Sequence, residues 1–486
     1  MLGRLLLAEV VCLVVAVGCN PPERDRGEVE LKMYTWWTAG GEKEALDVLK
    51  EENLKKYPNV RVKTNEAKNA EASFAQLDAE LMTFSPPDTF QANGGSKLLS
   101  RVIFNTGNPS KVDPRLKPID DVFDVAGTNI WSEILDPLIK VHGSFYGVPL
   151  NIHRINNLYF SVPKLAEVMN LPDDASTYDA IRAQLPKSFE GFFKLVKTAS
   201  EHWKSRGMED PRPIGLGMTD IWTLEELAFE NLLPSIALAN EKLGTFEQRQ
   251  AFFETYWNGT RNPDSREDRE VIEATLATTQ ELWTYVHSFG EPGVSSSEGK
   301  WSGPFDKLVD PDSAVTFVVM GDWATGYLNE NAYEPKNDYG VVPFPGTEKL
   351  FIFTSDTLPL TSTSRHPEET KDFLATALSI EAQLEFSAKK GSVPAVLLDS
   401  AASKQLTEAQ RETIVALSDS SVKKSLAMSG MVTPDVEPDL YRKALKAMLD
   451  EKTDPVYGRD LVHHTLENHY WMLTRWTYLL NEANQE

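Results

Sequence analysis

Trp36 and Trp37 stand side by side, and Glu42 follows close behind them. Two indole rings beside a carboxylate suit a ligand with an apolar face and a rim of hydroxyls, which describes a sugar. The rings would stack on C–H faces, each aromatic contact contributing about 0.5–1.5 kcal/mol beyond area burial. An ionised carboxylate would accept hydroxyl hydrogen bonds worth about 1.5–3 kcal/mol each. Further along, Gln91 and Asn93 end a short β-rich run, Asp322 follows another, and Lys390 precedes Gly391.

Each of these residues also has an ordinary structural use. Tryptophan is often core, Glu42 suits the first turn of a helix, and Asp322 suits a helix N-cap. Gln91 and Asn93 suit a loop, and Lys390 suits the last turn of a helix. The same tryptophans and carboxylates would equally make a cation cage, for a polyamine for example. Glu42 and Asp322 could also be the paired carboxylates of a glycosidase.

These residues must be positioned by elements the pattern makes visible. Val29–Trp37 reads as a strand, Glu42–Lys56 as a helix with Ala45, Leu46, Val48 and Leu49 on one stripe, and Val60–Thr64 as a second strand. Ala72–Met82 reads as a helix and Asp88–Gln91 as a third strand after Pro86 and Pro87. A βαβαβ start predicts a mostly parallel sheet with helices on both faces, whose strand ends are where ligands bind. Helical stripes run over Phe189–Lys204, Trp222–Ile236 and Asp268–His287. Ala314–Met320 and Tyr339–Pro343 read as strands, a short helix follows Asp322, and the chain from Pro367 reads as almost wholly helical, ending in Leu461–Leu480. Glu291–Pro304 reads as a surface loop. Two extended stretches, Tyr146–Arg154 and Tyr339–Gly346, suit crossings between two lobes.

The whole chain bounds the answer. At 486 residues it can form two or three domains with a large core. A net charge of −23 repels phosphate backbones and argues against nucleic acid as a partner. Leu5–Val17 is an apolar stretch behind Arg4, too short for a spanning helix, and is expected to be a signal peptide over residues 1–18. Ala16-Val17-Gly18-Cys19 is similar to a lipobox, so Cys19 is the expected lipidation site. Residues 19–28, with Pro21 and Pro22, read as a tether. The chain's two cysteines are Cys12 and Cys19, so cleavage leaves a single thiol and no internal disulfide.

Other chemistry finds no support. His463, His464 and His469 lack the spacing of a metalloprotease helix. Gly215-Leu216-Gly217 meets Asp220 where a dinucleotide loop needs glycine, and no Gly-x-Ser-x-Gly elbow exists. Neither a cofactor nor a metal is expected.

Several segments together resemble the family 1 extracellular solute-binding proteins of ABC sugar importers, the glucose/mannose-binding members above all. They are Trp36-Trp37-Thr38-Ala39-Gly40-Gly41-Glu42, Pro87-Asp88-Thr89-Phe90-Gln91, Val148-Pro149-Leu150-Asn151-Ile152-His153-Arg154, Met320 to Tyr327, Ser355-Asp356 and Lys390-Gly391-Ser392. They occur in the family's order over most of the mature chain. The resemblance implies a two-lobed α/β periplasmic-binding fold with a hinge and a helix-rich C-terminal region. The expected lobes are 29–150 plus 344–392 and 151–343 plus 393–486. It implies sugar contacts at Trp36, Trp37, Glu42, Gln91, Trp222, Trp301, Asp322 and Lys390, with Asn93 nearby. Asn151, His153 and Arg154 would serve the crossing. The implied partners are a neutral sugar, ABC permease subunits with an ATPase, and a bacterial membrane reached through the lipid. A monomer without chemistry of its own is expected, in the periplasm or otherwise outside the cytoplasm.

Overall fold

The computed structural model describes residues 27–427 apart from 39, 66–75, 78, 82–85, 104–114, 173, 175, 218–219, 221, 240, 242–243, 251–289 and 293–299. Cys19, the signal segment and the expected helices Asp268–His287 and Leu461–Leu480 lie outside the described residues, as does much of Ala72–Met82.

The first strand, Val29–Tyr34, buries Leu31 and Met33 and pairs in parallel with Val60–Thr64 on one side and Thr89–Phe90 on the other. It is shorter than its pattern predicts. Thr35 turns the chain: its backbone N–H donates to Asn65 Oδ1 at 2.8 Å, and its hydroxyl accepts from the Trp37 N–H at 3.0 Å. The two tryptophans therefore sit on a turn, so strand alternation does not send them to opposite sheet faces. Helix Gly40–Lys56 then buries Ala45, Leu46 and Leu49, and packs against the Pro367–Ala377 and Ile380–Lys390 helices.

A second sheet has the order Gly290–Pro292, Ile214–Leu216, Phe317–Val319, Asn157–Ser161, Tyr339–Pro343. Its first three strands are parallel and the last two pairings antiparallel. Successive side chains leave opposite faces. Leu158 and Phe160 join the main core with Phe317 and Val319, while Tyr159 and Val318 pack on the other face with Phe305, Leu308 and Tyr339. Phe189–Ser205 covers the main-core face through Phe192, Phe193 and Val196, and Ser188 caps it by accepting from the Gly191 N–H at 3.2 Å. The expected helix over Trp222–Ile236 exists but is not regular: Trp222–Glu225 is α, Glu226–Leu232 is a π-helical stretch, and Leu233–Ala239 is α again. Such stretches often mark functional sites.

Of the two expected crossings, Tyr339–Pro343 belongs to the second sheet, whereas the strands within Tyr146–Arg154 lie in separate small sheets. Asn151–Arg154 and Leu350–Thr354 are antiparallel neighbours, flanked by Val393–Pro394 and Lys423–Leu426. Val148–Pro149 and Ala92–Asn93 flank Asp356–Leu358. The mostly parallel expectation thus holds for the first sheet only. The region beyond Pro367 is also not wholly helical. Leu350–Thr354 is buried along its length, so its backbone groups need partners on both sides, and Lys423–Leu426 supplies one of them. The expected loop Glu291–Pro304 begins within a strand and ends within helix Gly303–Val309.

Candidate functional site

Four elements converge where the sheet systems meet: the turn after Val29–Tyr34, the start of helix Gly40–Lys56, the end of helix Ile380–Lys390, and the start of helix Trp323–Glu330. The backbones approach closely. A Cβ on Gly41 would lie 2.8 Å from the Lys389 carbonyl oxygen, and one on Gly391 2.6 Å from that of Asp322. The Trp323–Glu330 helix follows a strand of the second sheet yet packs on helices Gly40–Lys56 and Ile380–Lys390.

At this meeting point Trp37 is 1% exposed. Phe386 lies 5.4 Å from its ring centroid, and the Lys390 ammonium sits 4.9 Å above the ring. Lys390 also donates to Glu42 Oε1 and is itself only 3% exposed. The indole Nε1 of Trp37 is buried and has no acceptor among the described residues. Trp36 is half-buried against the main core.

A chain of buried polar groups runs from the first strand to Asp322. Thr35 Oγ1 donates to Gln91 Oε1 at 2.6 Å, and Gln91 Nε2 donates to Asp356 Oδ1 at 3.1 Å. Asn151 Nδ2 donates to Asp356 Oδ2 at 2.9 Å, and Asn151 Oδ1 accepts the Asp356 N–H at 2.9 Å. His153 follows two residues later on the same strand, and so on the same face. Its Nδ1 bonds to Asp322 Oδ1, and its Nε2 lies 3.4 Å from Asp356 Oδ2. Asp322 Oδ2 accepts the Arg154 N–H at 3.0 Å. Asp322 is thus committed to the crossing strand and makes no side-chain cap to the helix it begins. Arg154 points the other way, bonding Asn156 Oδ1 and the Leu350 carbonyl, each at 3.3 Å; burial brings its guanidinium down to about 10.

The charges of this chain are set by one another. Burial works against a charged His153, but the Asp322 carboxylate beside it holds the imidazole above its ordinary value. Burial would likewise raise the Asp356 carboxyl; the His153 hydrogen bond and the Lys390 charge outweigh it and hold Asp356 at about 2.

The aromatic residues form a second group along the Trp323–Glu330 helix. Trp323 meets the His153 ring edge-on at 5.1 Å and Trp222 at 5.9 Å. One turn on, Tyr327 meets Trp301 at 5.5 Å. Of the residues singled out in the sequence, Trp37, Glu42 and Lys390 are in direct contact, while Gln91 and Asp322 are linked through Asp356, Asn151 and His153. Trp222 reaches this group through Trp323. Trp301 sits one turn away, and Asn93 faces Asp356 in strand register, with its side chain accepting from Lys97 at 3.4 Å. Asp356 and Trp323 were not singled out as site residues, and His153 was assigned to the crossing alone. The signal for His153 was its alternation with Asn151; Asp356 was marked only as part of the Ser355-Asp356 segment of the resemblance, without a role. Among the described residues no cluster of His, Cys, Asp or Glu could hold a metal ion.

The model of the bacterial extracellular solute-binding proteins matches residues 49–413. The chain belongs to this family. An uncharacterized ABC transporter extracellular-binding protein of Pyrococcus horikoshii is 27% identical over 405 residues, covering 81% of this chain and 80% of that protein. A probable sugar-binding periplasmic protein of Mesorhizobium japonicum is 24% identical over 403 residues, 81% of this chain and 82% of that one. Among solved structures, a chitin oligosaccharide binding protein superposes with a TM-score of 0.62 at 19% identity, over 94% of this chain and 100% of that one. RafE, solved in complex with raffinose, superposes with a TM-score of 0.61 at 15% identity, over 92% and 100%. This solute-binding protein therefore has the two-lobed α/β fold expected of it. Among the described residues no helix is long and apolar enough to cross a membrane.

Proposed function

We propose that this solute-binding protein captures a neutral, glucose-like mono- or small oligosaccharide between its lobes and delivers it to an ABC permease driven by an ATPase. The observation that carries this reading is the buried polar chain from Gln91 to Asp322, flanked by Trp37, Glu42 and Lys390 on one side and Trp222 and Trp323 on the other. A ligand touching both sides binds the closed form better, which is how it shifts the population toward closure. Asp322 uses one lone pair on each oxygen, so acceptor positions remain for sugar hydroxyls. The buried Trp37 Nε1 lacks an acceptor among the described residues, one that a ligand oxygen would supply. Sugars are the ligands named for the Mesorhizobium relative and for both solved structures above.

In this reading the lobes comprise 29–150 plus 344–392 and 151–343 plus 393–486, hinged at the crossings. Lys390 swings off Trp37 to donate to the ligand, Trp36 supplies a stacking face, and Gln91, Asn93 and Trp301 complete the site. Residues 1–18 are removed, and Cys19 carries the lipid that ties a monomer to a bacterial membrane. In this reading the protein performs no catalysis: Glu42 is engaged by the Lys390 ammonium, and Asp322 by His153 and the Arg154 N–H.

The cation alternative has one observation in its favour, since Trp37 and Glu42 already hold an ammonium, that of Lys390. A thermal-shift screen with glucose, galactose, xylose, maltose and spermidine separates the two. A neutral sugar is expected to raise the melting temperature by mass action, in a manner insensitive to salt. Stabilisation by spermidine alone, abolished by salt, overturns the sugar reading. Asp322→Asn should weaken sugar binding about tenfold or more, the loss of a charged hydrogen-bond acceptor; unchanged affinity by calorimetry removes Asp322 from the site.

A further inference from the structure

His153 is 1% exposed and lies between carboxylates from different parts of the molecule. Asp322 leaves the second sheet, while Asp356 pairs with Asn93 and through Gln91 reaches the first strand. The orientation of Asn151 is fixed, because its Oδ1 accepts a backbone N–H, which can only donate. Its Nδ2 is therefore a donor both to Asp356 Oδ2 and toward His153 Nε2, 3.0 Å away.

This geometry admits two arrangements of one ring. A neutral imidazole donates from Nδ1 to Asp322 and accepts from Asn151 at Nε2. An imidazolium carries a second N–H that meets the Asn151 donor head-on and must turn to Asp356 Oδ2. Only the charged ring bonds both carboxylates.

We propose that His153 is a proton-operated clasp and a positioning residue: charged, it ties Asp322 directly to Asp356 and so holds Asp322 as a fixed acceptor in the closed cleft; neutral, it keeps Asp322 through Nδ1 but leaves Asp356 to Asn151, a weaker link. The assignment of Asp322 to a ligand rests on the sugar-binding reading above, whereas the link between the halves does not.

The charged groups around the ring favour the clasped form. Asp322 faces it from the start of helix Trp323–Glu330 and Asp356 from its own strand. Lys390 approaches from the end of helix Ile380–Lys390 but is offset by Glu42 at the start of Gly40–Lys56. Arg154, next on the strand, is directed away toward Leu350 and Phe351. Trp323 presents an uncharged ring. Two carboxylates are thus left for His153 to balance, and stranding a buried charge without its partner is costly.

Two measurements on the full chain test this. The first is an NMR titration of histidine-labelled protein with no ligand added, paired with small-angle scattering from pH 5 to 9. The ring of His153, assigned by its loss in His153→Gln, is expected to titrate above 6.5, with the radius of gyration increasing through the same transition. A ring that stays neutral from pH 5 upward, or an unchanged radius across its titration, overturns the clasp, and the wild-type data suffice if the variant does not fold. The second is calorimetry with glucose and maltose. Affinity should fall roughly tenfold per pH unit above the transition, the slope of a single linked proton, and His153→Gln should bind weakly with a flat profile. A wild-type affinity that is flat through the titration overturns the positioning role. If neither sugar binds at any pH while the first measurement succeeds, the ligand reading fails and the clasp stands.

Discussion

Gly326 and Lys389 face each other so closely that a Cβ on Gly326 would lie 2.5 Å from the Lys389 carbonyl oxygen. Gly326 belongs to the helix that begins after Asp322, and Lys389 to the helix that ends at Lys390. Their backbones touch because no side chain stands between them, and this contact brings the buried polar chain and the Trp37–Lys390–Glu42 cluster into one place.

Gly326→Ala is therefore expected to push the two helices apart. The neighbour is main chain within a helix and cannot rotate away. Overpacking of this kind costs about 1–3 kcal/mol, and here it can be relieved by opening. Urea denaturation should show the loss, and small-angle scattering should show a larger radius of gyration than the wild type. A variant as stable and compact as the parent would show that the contact is not tight.

Asn156 is the polar anchor of the crossing. It is fully buried; its Nδ2 donates to Thr347 Oγ1 and to the Leu350 carbonyl, each at 2.9 Å, and its Oδ1 accepts the Ile352 N–H at 3.0 Å. Asn156→Ala strands the Ile352 N–H and strips one donor each from the Thr347 hydroxyl, which keeps the Phe344 carbonyl, and from the Leu350 carbonyl, which keeps Arg154; a stranded buried group costs about 1–3 kcal/mol. The expected result is a loss of more than about 2 kcal/mol, read from the chemical denaturation midpoint at constant slope.

Asp356 should govern part of the acid limb. Its folded value of about 2 lies below the ordinary 3.8. A depressed carboxyl contributes stability that is present above 3.8 and lost as pH falls toward 2. Asp356→Asn should lower stability at pH 6 and flatten the stability curve between pH 4 and 2. An unaltered acid limb would count against the pairing with His153.

Lys164 should add a rise of the same sign at high pH. Its ammonium donates to the carbonyls of Lys307 at 2.8 Å and Val315 at 2.9 Å, but burial brings it down to about 8 from 10.5. Between those values the unfolded chain binds the proton that the folded chain has released, so this group makes stability rise with pH over that window. Lys164→Met should remove the rise, which denaturation at pH 8 and pH 10 would reveal as a change in the difference between them.

The elements that local patterning specifies were legible. Val60–Thr64 and Tyr339–Pro343 have the expected bounds, because strand propensity and flanking breakers coincide there. Helix Phe189–Ser205 follows its stripe to within a residue. The strand through Trp37 ends early because a side-chain hydroxyl of Thr35, not a breaker, closes the turn. The strands Val393–Pro394 and Lys423–Leu426 escaped notice because short edge pairings answer a distant strand's backbone and carry little periodicity of their own.

The site divides in the same way. Residue type together with the family resemblance marked Trp37, Glu42, Gln91, Asp322 and Lys390 as candidates, although each also has an ordinary structural use. Only the tertiary structure decided what they touch: Lys390 lies over Trp37, and Asp322 is joined to Gln91 through Asp356, Asn151 and His153. Such contacts join residues some 170 to 350 positions apart in sequence. Spacing along a chain encodes neighbours within a helix turn or a strand pleat, while partners this distant are selected only when burial leaves a charged group no water to turn to.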